Sequence, residues 1–213
     1  MRFLELFSGS GIMSRTATNL GFEAWSVDID PHCTPDQVAD ITQLQPQDLE
    51  DRLPGHLTVI WASPDCRQFS YARGARNEFR ESNPDPLSED ALEALEMVKH
   101  TLYLIEQLDP TYWALENPLH GALKNQPFMR DLAYVDVSYC CYNYPFQKRT
   151  RIWGKFPPSF VPKDSCSHGS HQNIKTYKDA KARSEIPFQL CYDFLSSARR
   201  DNGLQLPTLG DFT

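Results

Sequence analysis

The sequence predicts an α/β fold built on a mostly parallel sheet with helices on both faces. Three observations support this. Apolar runs typical of buried strands recur along the chain, helical periodicity separates them, and the first strand leads through a glycine-containing turn into a helix. The chain has 213 residues, of which 40% are hydrophobic, enough for one sizeable core. One main domain is therefore expected.

The predicted elements follow in the order that such a sheet requires. FLELFS predicts a strand, Gly9-Ser10-Gly11 a tight turn, and IMSRTATNL a helix that ends at Gly21. Further strands are predicted at EAWSVDI, LTVIWAS, TYWALEN, VDVSYCCY and TRIWGKF. One helix begins at the N-cap residue Ser88 and another covers PFQLCYDFLSSARR. Residues 157–183 are rich in Pro, Ser, His and Lys and show no periodicity, which predicts a long loop.

The charge distribution is uneven. The net charge of −7 argues against a protein that coats nucleic acid. Residues 1–110 hold 8 Lys and Arg against 19 Asp and Glu, a net charge of −11, whereas residues 111–213 carry +4, so a polyanion would meet the second half more readily. Within the acidic half, arginines cluster after Cys66 at Arg67, Arg73, Arg76 and Arg80. A solvated loop is the alternative interpretation of that cluster.

The sequence offers no targeting or membrane signal. No window approaches 18 uninterrupted apolar residues, and the first ten residues do not resemble a signal peptide. The six cysteines do not form a spaced disulfide framework. We expect a cytoplasmic protein with reduced thiols, working in a host cytoplasm if the gene is carried by a phage.

Two features at the start of the chain indicate a nucleoside pocket. Gly9 and Gly11 allow backbone amides to approach a ligand at a helix N-terminus. Asp28 ends the second strand about twenty residues on, where a carboxylate can accept hydrogen bonds from ribose hydroxyls. A purely structural turn with a surface carboxylate remains the alternative.

Three further motifs carry reactive or basic side chains. Cys66 follows a strand in ASPDCRQFS, at the end where open α/β sheets bind ligands, and Arg67 beside it favours a thiolate whereas Asp65 opposes one. Glu116 and Asn117 in LENP should reach the same edge of the sheet. Arg149 and Arg151 in QKRTRIW lie two apart and share one strand face, which suits a phosphate and a base carbonyl. The alternatives are that Cys66 is an inert packed thiol and that Arg149 and Arg151 only protect an exposed edge strand.

The succession LELFSGSG, VDID, ADI, SPDCRQFS, LENP and QKRTRIW resembles the ordered motifs of cytosine-5 DNA methyltransferases, most closely the short phage-type members. RSEIPFQL resembles the C-terminal motif that returns to the cofactor pocket. The resemblance implies a Rossmann-like, S-adenosylmethionine-dependent methyltransferase fold whose target-recognition domain is absent or minimal. Residues 1–155 would form the catalytic and cofactor-binding domain, 156–183 a long loop or minimal recognition segment, and 184–213 a C-terminal helix and tail returning to the catalytic domain.

The resemblance also assigns roles. The enzyme would methylate carbon 5 of a flipped cytosine in double-stranded DNA, through a covalent adduct of Cys66 at carbon 6. Glu116 would contact N3 and the exocyclic amine, Arg151 the base carbonyl, and Asn117 and Arg149 would support them. S-adenosylmethionine would be held by Phe7, Ser8, Gly9, Ser10, Gly11, Asp28, Ile29, Asp40, Ile41 and Pro64. DNA contacts would come from Arg67, Ser70, Arg73, Arg76, Arg80 and Gln147. Because the target-recognition segment is so short, specificity would be low, or built from residues 156–183, or supplied by a homodimer or a partner subunit.

Some features depart from this pattern or leave it open. Most family members place Pro directly before the catalytic Cys, whereas this chain has Asp65 there and Pro64 one residue earlier. RNA cytosine-5 methylation and a catalytically silent cofactor- and DNA-binding regulator are the alternative functions. Cys166, His168 and His171 suggest zinc, but they lack an obvious fourth ligand and match no common spacing. We therefore predict an exposed polar loop there and no bound metal.

Overall fold

A seven-stranded sheet forms the centre of the protein in a computed structural model, which describes residues 1–70, 79, 85–167, 171–172 and 184–205. Its spatial order is β3-β2-β1-β4-β5-β7-β6. The strands are β1 Arg2–Leu6, β2 Glu23–Asp28, β3 Gln37–Val38, β4 Val59–Ala62, β5 Tyr112–Pro118, β6 Tyr134–Ser138 and β7 Arg149–Lys155.

The pairing directions bring the predicted site motifs to one edge. Strands β1 to β5 run parallel, so the turns after β1, β2, β4 and β5 all lie at their carboxyl ends. Strand β7 lies antiparallel between β5 and β6, so its first residues lie at that same edge. The predicted mostly parallel sheet is confirmed.

Helices cover both faces of the sheet, as predicted. They are α1 Ile12–Asn19, α2 Pro46–Glu50, α3 Glu89–Leu108 and α4 Phe188–Asp201. Ser88 caps α3 by accepting a hydrogen bond from the Ala91 backbone N–H at 3.1 Å, as its sequence position predicts. Within the described ranges, no helix is long and apolar enough to cross a membrane.

Each face carries its own apolar core. Leucines of α2 and α3 pack on one face with Leu6, Ile60 and Leu115. On the other face α1 and α4 pack together over Phe3 and Trp61, and the Trp61 and Phe194 rings meet edge to face at 5.2 Å. Alternate strand residues face opposite cores, because side chains alternate along a strand.

The structure corrects the predicted extent of one strand. VDVSYCCY was predicted to be extended throughout, but β6 ends at Ser138 and Tyr139–Tyr142 forms a short 3-10 helix. Asn143 then adopts a left-handed conformation with φ of 62°, which ends the turn and reverses the chain towards β7. The side chains of Tyr139, Cys140 and Cys141 therefore do not alternate as they would in a strand.

Candidate active site

A cavity of about 970 Å³ opens at the carboxyl edge of the parallel strands. The turns after β1, β2 and β4, the first turns of α3, and residues 184–186 before α4 form its wall. Most of the residues that the resemblance assigned to the cofactor line it: Phe7, Ser8, Gly9, Ser10, Asp28, Ile29, Asp40 and Ile41. Gly11 instead forms the N-cap of α1, and Pro64 is buried behind the wall.

The backbone of the glycine turn has positive φ angles at three residues, two of which are glycines. Phe7, Gly9 and Gly11 have φ values of 61°, 51° and 67°, in the left-handed region where glycine is favoured. Asp28 stabilises this turn, because its Oδ2 accepts a hydrogen bond from the Gly9 N–H at 2.8 Å. Its Oδ1 accepts from the Asp30 N–H at 2.9 Å. Asp28 thus joins the turns after β1 and β2, in addition to the ribose role predicted for it.

The cavity wall suits a cationic nucleoside such as S-adenosylmethionine. Its described lining carries one arginine, Arg67, and nine carboxylates, at Glu5, Asp28, Asp30, Asp40, Asp65, Asp90, Glu93, Glu96 and Glu185. An excess of carboxylates attracts a sulfonium cation. Ser8 Oγ is buried and has no hydrogen-bond partner among the described residues, so a bound ligand would satisfy it. Ile29 is 64% exposed and offers an apolar surface to a flat ring.

Cys66 adjoins the same cavity. It occupies the turn after β4, and its neighbours Ser63, Asp65, Arg67 and Gln68 all line the cavity. Burial raises the pKa of the Cys66 thiol; Lys148 opposes this rise, whereas Glu116 and Asp65 add to it. Glu116 is thus one of the charged groups near Cys66, and the strands that precede Cys66 and carry Glu116 are adjacent.

The structure corrects the expected role of Arg67 beside this thiol. Arg67 was expected to favour the thiolate, but its guanidinium forms an exposed ion pair with Asp65. The cation that lowers the pKa of Cys66 is Lys148, which is distant in sequence.

Glu116 is held by two partners that the sequence analysis missed. Its side chain is buried at the end of β5, where Oε1 accepts a hydrogen bond from the Tyr139 hydroxyl at 2.8 Å. Lys148 Nζ lies 3.6 Å from the same oxygen and 4.7 Å from the Tyr139 ring centroid. Burial raises the pKa of Tyr139 well above its usual value, so its hydroxyl stays protonated and can donate.

Asn117 connects the turn that carries Cys66 to the strand that carries Glu116. Its side chain is fully buried, and Nδ2 donates a hydrogen bond to the Pro64 carbonyl oxygen at 3.1 Å. Strands β4 and β5 are adjacent and parallel, with Ala62 opposite Leu115, so the two motifs leave the sheet side by side. This agrees with the supporting role predicted for Asn117.

The two arginines of β7 share a face, as predicted, but this face is not the one that carries Glu116. In the antiparallel pair, Asn117 lies opposite Arg151 and Glu116 opposite Ile152, and residues directly opposite each other share a face. Arg151 forms a bidentate pair with Asp136 at 2.7 and 2.9 Å and lies 3.6 Å from the Tyr134 ring centroid. A contact between Arg151 and a base stays a prediction, and it would require the guanidinium to leave Asp136.

The remaining predicted positions lie around the rim or outside the described residues. Arg149 Nη2 lies 3.5 Å from Asp164 Oδ2. Ser70 forms an isolated bridge with Gly121, and Gln147 is exposed. Arg73, Arg76 and Arg80, which were predicted to contact DNA, lie outside the described residues.

Comparison with known proteins relates this fold and site to methyltransferases. No family model matches the chain. A protein of Frog virus 3 (isolate Goorha), named a probable DNA (cytosine-5)-methyltransferase, is 29% identical over 173 residues, covering 78% of each chain.

Solved structures share the fold at low identity. A prophage-encoded E. coli protein described as a DNA modification methyltransferase has a TM-score of 0.56 and 18% identity, covering 76% of this chain and 51% of its own. The methyltransferase EhMeth of Entamoeba histolytica has a TM-score of 0.52 and 12% identity, covering 79% and 57%. The chain thus spans about half the length of these solved structures. The chain is thus similar, along most of both chains, to a viral protein named a probable DNA (cytosine-5)-methyltransferase, and it shares a fold with solved methyltransferases.

Proposed function

We propose that the protein transfers a methyl group from S-adenosylmethionine to carbon 5 of cytosine in DNA, with Cys66 as the covalent nucleophile. One observation carries this proposal. Cys66 and Glu116 lie near each other beside an acidic cavity that suits a cationic nucleoside, and the hydrogen bond from Asn117 to Pro64 joins the segments that carry them. The viral relative is named for the same reaction.

The cavity residues would hold S-adenosylmethionine, which supplies an electrophilic methyl group when bound. Asp28 would accept from the ribose while it keeps the glycine turn in place. Ile29 and Ile41 would contact the adenine ring, and Asp40 would accept from its amino group. The hydroxyl of Ser8 would gain its missing partner from the methionine part.

The chemistry assigned to Cys66 follows from the low reactivity of the pyrimidine. Carbon 5 of cytosine is a poor nucleophile, so the thiolate first adds to carbon 6 and forms a sulfur–carbon bond. The electron pair of the carbon 5–carbon 6 double bond then becomes available at carbon 5, which gains the methyl group. A base removes the carbon 5 proton, the double bond re-forms, and sulfur leaves as thiolate.

Glu116 would stabilise the ring during this addition. Both of its described contacts use Oε1, which leaves Oε2 to accept from the exocyclic amine of cytosine and, once protonated, to donate to N3. Tyr139 and Lys148 fix the carboxyl before the substrate arrives, so little reorganisation is needed during the reaction. Lys148 also favours the thiolate of Cys66, which burial disfavours.

DNA access requires that the target base leave the duplex. Carbons 5 and 6 of a stacked cytosine are out of reach of the partly buried Cys66 thiol, so the base must rotate into the site. The segment from Arg67 to Arg80, together with Ser70 and Gln147, is assigned to the opened strand and its phosphates. All six cysteines are unpaired, which fits a reducing cytoplasm. A homodimer or partner subunit that supplies recognition stays a prediction.

Trapping with 5-fluorocytosine tests this mechanism. Fluorine replaces the proton that must leave carbon 5, so the proposal predicts a stable protein–DNA adduct that requires S-adenosylmethionine and whose modified peptide contains Cys66. Cys66→Ala should abolish the adduct but retain cofactor binding by calorimetry, and DNA with ordinary cytosine is the control. Tight binding of cofactor and DNA without any adduct would contradict the proposal and favour the silent regulator.

A second measurement identifies the nucleic acid. Methyl transfer to DNA and RNA oligonucleotides of matched sequence should favour DNA. A strong preference for RNA would support the alternative RNA cytosine-5 activity. Bisulfite sequencing of DNA from cells that express the protein would then identify the target sequence.

A further inference from the structure

Residues that are distant in sequence form a cluster of metal-binding side chains beside β6. The ligand atoms of Cys140, Cys166 and His171 all lie within 4.8 Å of one another. Cys166 Sγ lies 3.1 Å from His171 Nε2. Cys140 is buried and the other two are partly buried, so the cluster is not a chance meeting of fully exposed side chains.

A fourth candidate ligand adjoins this cluster. Cys141 follows Cys140 in the short 3-10 helix, and the two thiols are within hydrogen-bonding distance. Cys140 and its neighbour Cys141 thus come to Cys166 and His171 from a separate part of the chain, and Cys141 is the candidate for the fourth ligand.

We propose that Cys140, Cys141, Cys166 and His171 form a structural zinc site. Zinc in closed structural sites is bound tetrahedrally by thiolates and imidazoles, and a Zn–S distance of about 2.3 Å places sulfur ligands about 3.8 Å apart, which this cluster can reach with small side-chain movements. The Ser138 hydroxyl lies 3.2 Å from Cys140 Sγ and can orient that ligand from outside the metal. This revises the prediction that the loop holds no metal.

The site would fasten the exposed residues 161–165 to the rest of the protein. Residues 161–165 are exposed, but backbone hydrogen bonds of Lys163 and Gln172 join this part of the chain to the end of β6 and the turn after it. The Ser138 N–H donates to the Lys163 carbonyl at 2.9 Å, and the Gln172 N–H donates to the Pro145 carbonyl at 3.1 Å. A metal held by Cys140, Cys141, Cys166 and His171 would close this loop onto the turn after β6, where metal binding contributes directly to folding stability.

Metal analysis of the whole chain tests the site without any assay of methylation. Protein purified without chelators should contain about one zinc per chain by inductively coupled plasma mass spectrometry. After chelation, titration with cobalt should produce the visible bands of a tetrahedral ion and a sulfur-to-metal charge-transfer band that saturates at about one equivalent. Zinc should then displace the cobalt.

Matched variants identify the ligands. Cys166→Ser should reduce the zinc content and the charge-transfer intensity, whereas Cys33→Ser, at a partly exposed thiol of the opposite sheet edge, should leave both unchanged. His171→Ala is paired with His120→Ala, an exposed histidine outside the cluster. Cys141→Ser tests the fourth ligand in the same way.

The cobalt titration of the wild-type chain shows whether the metal site exists even if a variant fails to fold. Absence of tetrahedral bands, metal content unchanged in Cys166→Ser, or a disulfide between these cysteines in freshly purified protein would overturn the proposal.

Discussion

Removing the cation at Lys148 tests the electrostatics of the site most directly. Lys148 Nζ lies 3.6 Å from Glu116 Oε1, and the two side chains are only 12% and 7% exposed. At that distance and an effective dielectric constant of about 20, the attraction between the charges is about 5 kcal/mol. Glu116 keeps Tyr139 as a second partner, so we expect Lys148→Met to lower the free energy of unfolding by about 3 kcal/mol.

The same substitution should change the reactivity of Cys66. Lys148 lowers the pKa of this thiol more than Glu116 raises it, so the pKa should rise even if Glu116 becomes protonated in the variant. Each unit of increase reduces the thiolate fraction about tenfold at a pH below the pKa. Methyl transfer should fall by about 100-fold, the effect typical of losing one preorganised electrostatic partner.

Alkylation of Cys66 by iodoacetamide, followed peptide by peptide with mass spectrometry, measures this change. The pH profile of Cys66 alkylation should shift to higher pH in Lys148→Met. Lys155→Met, which removes an exposed lysine from the other end of β7, should leave the profile unchanged. If Cys66 alkylates with the same pH profile in Lys148→Met and in the wild type, the proposed influence of Lys148 on the thiol is wrong.

Two further substitutions test neighbouring interactions. Tyr139→Phe keeps the ring but removes the hydroxyl that donates to Glu116. We expect kcat/KM to fall by about tenfold to 100-fold, the effect of losing one hydrogen bond to a charged group. Unchanged kinetics would contradict this role. Burial raises the pKa of Glu5 from 4.5 to about 7, so the folded protein binds this proton more tightly than the unfolded chain. The resulting stabilisation is complete below about pH 4.5 and is lost as the pH rises through 7. The free energy of unfolding should change by about 3 kcal/mol over this range. Denaturation of Glu5→Gln at several pH values should show a difference from wild type that changes by about this amount, whereas a constant difference would refute it.

The order of strands and helices was predictable because each element carries a local signal. Buried parallel strands are short apolar runs, and α3 shows both helical periodicity and the cap at Ser88. Strand β3 was not predicted because it is only two residues long. Its pairing with β2 depends on tertiary contacts that the local sequence pattern does not show. The five-residue helix α2 is likewise too short to show periodicity.

The candidate site was predictable where residues follow a strand and not where they meet across the sheet. Cys66 follows a parallel strand, and Asp28 and Glu116 lie near the carboxyl ends of two others, so one rule places them at the same edge. Lys148 was not predicted as a site residue. It lies just before β7, and the spacing of Arg149 and Arg151 indicates a shared role only for the opposite face of that strand. Alternation alone puts Lys148 with Thr150 and Ile152, but only the register between β5 and β7 shows that Glu116 is on that face.

The turn at Tyr139–Tyr142 links the candidate active site to the proposed zinc site. Tyr139 points to Glu116, while the next residue, Cys140, points towards Cys166, because successive side chains of a 3-10 turn project in different directions. Metal loss should therefore loosen the hold of Tyr139 on Glu116. We expect chelation to lower kcat while cofactor affinity stays the same, since the glycine turn and Asp28 lie on β1 and β2, across the sheet from β6. Chelated protein that keeps its full kcat would show that the metal stabilises the loop without positioning Glu116.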